Sequence, residues 1–123
     1  MRSANFFMAV ATKKLLLDVR EAGECILENT AGKGLAEYSR SRFFRRAVER
    51  EFEIIGEALK RLADTDPATA GSVSQLRRIV DFRNRIIHGY DTIDGTVVSG
   101  ITEKSLPLLI KEIIVLLEAE EGE

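Results

Sequence analysis

The sequence predicts an all-α fold, an up-down four-helix bundle with a kinked last helix. Apolar residues recur at the spacing of a helix face, and no run alternates with the period of two that a half-buried strand requires. Glycine and proline cluster at residues 32–34, 64–71 and 89–95, dividing the chain into long segments joined by short connections. Segments of that length with short connections favour antiparallel neighbours in a bundle.

The first segment, about residues 5–29, places Met8, Ala11, Leu15, Ala22 and Ile26 on one stripe. The second, about 39–63, does the same with Phe44, Val48, Ile55, Leu59 and Leu62. The third, about 72–88, carries Val73, Leu76, Val80 and Ile87; Ser72 or Ser74 can cap its start, and Gly89 suits the position just past its end. The fourth, about 94–119, carries Ile101, Leu109, Ile113 and Leu116 behind a capping Asp94. Pro107 lies inside it and should kink it, because proline removes a backbone donor and crowds the preceding turn.

A length of 123 residues suits one domain, residues 1–123, with 45% hydrophobic and 31% charged residues. One cysteine and one histidine allow no internal disulfide and no Cys/His zinc site, so no cofactor or metal is expected. No apolar run reaches the roughly 18–20 residues of a membrane span, and the first dozen residues lack a signal-peptide cleavage site. A reduced, cytoplasmic domain without membrane partners is expected.

Placing the third segment on a helical wheel brings out one unusual residue. Arg83 falls within the apolar sector, where an unpaired guanidinium costs several kcal/mol. It either snorkels or finds a partner. Glu51 falls on the apolar sector of the second segment and is the candidate partner. His88 stands five residues after Arg83, so on a regular helix the two diverge by about 140°. They can grip one group only if the helix ends between them or if two chains contribute. Gly89 allows the first, and a symmetric dimer the second.

Charge is uneven. Between Arg40 and Arg85 there are 11 basic and 7 acidic residues, and the remainder is acidic. Arg40, Arg42, Arg45, Arg46 and Arg50 cluster on the second segment, and Arg77, Arg78, Arg83 and Arg85 on the third. Such clustering suits a phosphate-rich ligand, or else a solvated helix face balanced by Glu49 and Glu53.

The run Arg83-Asn84-Arg85-Ile86-Ile87-His88-Gly89-Tyr90 resembles the Arg-x-x-x-x-His-x-Tyr signature of HEPN-domain ribonucleases, specifically the HepT-like toxins. Ala47-Val48-Glu49-Arg50 followed by Glu53-Ile54-Ile55-Gly56-Glu57-Ala58 looks like that family's second helix, and Leu106-Pro107-Leu108-Leu109 like its last. The resemblance spans about residues 6–117. One departure concerns packing: the family often has a tryptophan near the start of the last helix, and Val98 stands there here.

The resemblance implies a HEPN-like bundle acting as a homodimeric, metal-independent endoribonuclease, the toxin of a toxin–antitoxin pair with RNA as substrate. Arg83 would bind phosphate and His88 transfer protons, imidazole being the side chain that exchanges them near neutral pH. Asn84 would support substrate binding. Tyr90 would accept AMP from a partner nucleotidyltransferase antitoxin, which would block the site by bulk and charge. The alternative is a non-catalytic dimeric helical adaptor that binds a nucleotide or a partner; Arg83 and His88 together favour the enzyme.

Overall fold

The structure, a computed structural model, describes residues 8–89 and 93–121. Its elements are α1 (Val10–Thr30), α2 (Leu35–Arg40), α3 (Arg42–Thr65), α4 (Pro67–Ala70), α5 (Leu76–Ile87), α6 (Gly95–Gly100), a π turn (Ile101–Ser105) and α7 (Leu106–Glu121). No strand occurs among the described residues. Nor is any described helix long and apolar enough to cross a membrane.

The helix α3 is the axis of the bundle, packing on α1 at one side and α5 at the other, while α1 also packs on α7. Contacts between opposite ends establish the antiparallel order: Thr12, near the start of α1, donates a hydrogen bond to Asp66 at the end of α3 (3.0 Å). Gly23 of α1 faces Ile110 and Leu106 of α7, where an added Cβ would overlap the Ile110 side chain. The core between them is aliphatic, with Leu16, Ile26, Ile55, Leu59, Leu62, Ile79, Leu109 and Ile113 fully buried. Each such side chain contributes about 1.5–3 kcal/mol relative to exposure. The rings of Phe52 (α3) and Phe82 (α5) meet edge to face, centroids 5.1 Å apart at 88°.

Local chemistry explains the boundaries. Ser41 caps α3 by accepting from the Phe44 amide (3.1 Å). Asp66 closes α3 and opens α4: its carboxylate accepts from the Thr69 amide (3.1 Å) and hydroxyl (2.8 Å), and Pro67 takes the first helical position. Asp94 caps α6 as expected, accepting from the Thr96 amide (2.8 Å). Tyr38, buried on α2, donates its hydroxyl to Glu49 (2.7 Å) and so ties α2 to α3. Burial and that carboxylate push the phenol above its ordinary range.

Three expectations change in detail. The α1 core face is Thr12, Leu16, Val19, Ala22, Gly23 and Ile26. Leu15 is half-buried and Ala11 exposed. A run of three leucines leaves the register of the stripe open, and the Thr12–Asp66 bond helps settle it. The third helix begins at Leu76, and neither Ser72 nor Ser74 caps it. Instead the Ser74 amide donates to Glu112 of α7 (2.9 Å), which holds residues before α5 out of the helix. The break expected at Pro107 takes the form of the π turn, where the Leu106 amide reaches back to the Ile101 carbonyl. One wider turn accommodates the donor that proline lacks.

Candidate active site

The motif helix α5 buries Ile79 and Phe82 against α3. Phe82, with the larger area, sets which side faces inward, while Ile87 is 45% exposed. Arg83 follows Phe82 directly and lies where α5 presses on α3, mostly buried, as its place in the apolar sector predicts. Its stem crosses α3 at Gly56, where an added Cβ would collide with the Arg83 Cβ and Cγ. Glycine at that position is what lets the two helices approach so closely.

From this crossing the guanidinium extends along the groove between α3 and α5, with its side chain only 16% exposed. Nη2 donates to Glu57 Oε1 (2.6 Å) and Nη1 to Asn84 Oδ1 (2.9 Å). Nε is buried and has no partner among the described residues. The expected pairing of Arg83 with Glu51 is not formed. Glu51 turns toward α1, where it lines a separate cleft with Glu21, Glu24 and Cys25. A wheel treats the apolar stripe as one surface, whereas α3 meets α1 and α5 on different sides of it. Glu57 was legible only through its neighbour: a glycine inside an amphipathic helix marks a close approach.

The Asn84 side chain faces Arg83, and its backbone carbonyl accepts the His88 amide (3.0 Å). His88 is the C-cap of α5 and is exposed. Gly89 follows at φ +71°, with its amide bonded to the Ile86 carbonyl (3.2 Å), the left-handed stop expected of it. Among the described residues no hydrogen bond or ion pair joins His88 to Arg83. Tyr90 lies outside the described residues.

An open cleft of about 360 Å³ surrounds Arg83, lined also by Leu15 and Asp18 of α1, Arg50, Glu53, Glu57 and Arg61 of α3, and Ile87. Arg50 pairs with Glu53 (3.2 Å) and Arg61 with Glu57 (3.5 Å). The chemistry offered is that of an anion clamp in this cleft, with the imidazole of His88 exposed at the end of the same helix and outside the cleft lining. Among the described residues, no three His, Cys, Asp or Glu side chains gather as a metal site. Cys25, in the other cleft, has its thiol pushed up by burial and then by Glu51 and Glu28, which disfavours the nucleophilic thiolate.

An all-helical bundle whose third long helix ends in Arg-x-x-x-x-His is HEPN-like in class. The family model described as Ribonuclease HepT-like matches residues 19–116, and the chain belongs to that family. Two proteins of Methanocaldococcus jannaschii are similar to it. One, named "Putative RNase MJ1380", is 31% identical over 101 residues, covering 82% of this chain and 92% of the relative. The other, "Putative RNase MJ0127", is 28% identical over 111 residues, covering 90% and 91%. No solved structure matches the chain.

Proposed function

We propose that this chain is a metal-independent endoribonuclease that cleaves RNA as a homodimer. The observation that carries the reading is the state of Arg83: a guanidinium held by Glu57 and Asn84 beside an open cleft, five residues before an exposed histidine. Cleavage without a metal needs activation of the ribose 2′-hydroxyl and stabilisation of charge on a pentacovalent phosphorane. Arg83 supplies the second through paired N–H donors on the phosphate oxygens. His88 supplies proton transfer, taking the 2′-hydroxyl proton or protonating the departing 5′-oxygen. Asn84 holds Arg83 and contacts substrate. The products are a 2′,3′-cyclic phosphate and a 5′-hydroxyl.

Two copies support this arrangement better than one. Within one chain His88 is exposed at the helix end while Arg83 lies in the groove, so a second chain supplies the complementary half of the cleft. Ile87, exposed beside Arg83, is apolar surface that a partner copy would cover. Tyr90, two residues beyond His88, is the proposed acceptor of AMP from a nucleotidyltransferase antitoxin. Its phenol oxygen would displace pyrophosphate from ATP, leaving a phosphodiester and an adenosine over the motif.

Induced expression of the wild type, Arg83→Ala and His88→Ala tests the reading. Arrested growth and RNA cleavage by the wild type alone are expected. Equal growth of all three, with no RNA cut in vitro, would leave the adaptor reading. Tyr90→Phe should remain active but resist neutralisation by AMP transfer.

A further inference from the structure

Glu57 touches two arginines from different helices. Its Oε1 accepts from Arg83 of α5 at 2.6 Å, while its Oε2 pairs with Arg61, one turn further along α3, at 3.5 Å. One carboxylate thus spans two guanidiniums in the lining of the 360 Å³ cleft. A carboxylate and a phosphodiester present the same recognition element: two oxygens sharing one negative charge, matched by forked N–H donors.

We propose that Arg61 and Arg83 together form a two-pronged phosphate subsite for the RNA backbone, and that Glu57 holds the fork in place until substrate arrives. The proposal rests on the ribonuclease reading and adds Arg61 and Glu57 to it. Exposure separates the three roles. Arg83, 16% exposed and wedged at Gly56, is fixed; Glu57, 49% exposed, can turn to solvent; Arg61, 67% exposed, can follow the incoming phosphate. The Glu57–Arg61 contact is an exposed i,i+4 pair, which is weak and exchanges readily. Within the trio, two guanidiniums share one carboxylate, while Asp18 and Glu53 in the same lining are offset only in part by Arg50. The forked donors, not a surplus of positive charge, therefore select a phosphodiester. Arg50 is paired with Glu53 and shares no carboxylate with Arg83, so it stands outside the fork.

Glu57 is a positioning residue, acting through Arg83. The experiment measures binding of a fluorescent single-stranded RNA across a salt series, in a His88→Ala background that prevents cleavage. Turnover is measured in parallel with His88 intact. Arg61→Ala should weaken binding about tenfold and lower the salt slope by about 0.7, the share of one phosphate contact, while kcat changes little. Glu57→Gln should bind at least as tightly as the parent, having lost a competing charge, yet cleave about tenfold more slowly as Arg83 loses its orientation. Arg20→Ala, which removes an arginine paired with Glu24 (3.2 Å) on α1, should match the parent and controls for bulk charge.

Equal binding and salt slope in Arg61→Ala and the parent, or an equal loss in Arg20→Ala, would overturn the subsite. So would a Glu57→Gln protein that loses binding and thermal stability together with unchanged kcat. If the unmutated protein neither binds nor cuts RNA, the ribonuclease reading falls and the subsite with it. A wild type that cleaves RNA while Arg61→Ala is indistinguishable from it defeats the subsite alone.

Discussion

Arg83 shows how a charge is kept near a core. Removing a guanidinium from water is tolerable when its N–H groups have partners, and Glu57 and Asn84 supply two of them. The same partners fix its plane, so Arg83→Lys, which keeps the charge but loses the fork, should fold normally. It should lower kcat about 100-fold or more, as removing an oriented transition-state donor does; circular dichroism and a cleavage assay check both parts. Asp66 is a second such residue. Its hydrogen bonds from Thr69 outweigh desolvation and, with one from Thr12, hold the carboxyl below the usual aspartate range. A depressed folded value means stability that is fully present above the unfolded pKa of about 3.9 and is lost as pH falls through the folded value. Asp66→Ala should therefore lower stability by about 1 kcal/mol at neutral pH and by progressively less in acid. Thermal melts from pH 7 to 2 would show the two curves converging.

At the scale of elements, the α3–α5 contact is decided by one small and two large residues. Gly56 sets how closely the helices approach, and the Phe52–Phe82 pair fixes their register. Gly56→Ala should push α5 outward, costing about 1–3 kcal/mol and moving Arg83 away from Glu57. A lowered melting temperature together with reduced cleavage would show it, whereas unchanged melting would mean that the two helices leave room for the extra methyl. The end of α5 gives a second case. Gly89 is left-handed, so Gly89→Ala should cost about 1–2 kcal/mol and disturb the turn that ends the motif helix at His88. Activity should fall more than helicity, as a cleavage assay beside circular dichroism would reveal.

For the whole molecule, the distribution of charge outweighs its total. A net charge of −2 conceals a basic middle, and part of that basicity lines the cleft at Arg50, Arg61 and Arg83, where Asp18, Glu53 and Glu57 face it. The proposed active unit is a pair of chains. Ile87→Asp should leave the helices intact while shifting the protein toward monomer in sedimentation experiments, with loss of cleavage. A monomeric wild type with full activity would overturn that expectation.

Much of this was readable in the chain itself. Helical periodicity, the punctuating glycines and the caps at Asp94 and Gly89 are local, and local rules of spacing and backbone conformation suffice to find them. Arg83 as an arginine among apolar residues, and His88 as a helix terminus, belong to the same kind of information. The partner of Arg83 does not. Glu51 and Glu57 differ by less than two turns, and only the angle at which α3 meets both α1 and α5 decides which one faces the motif. The same holds for the α1 face, where Leu15 and Leu16 compete for the core, and for the π turn that absorbs Pro107. Periodicity along one helix establishes that a face is buried; which neighbour covers each part of it depends on several helices packing at once, and tertiary structure alone decides that.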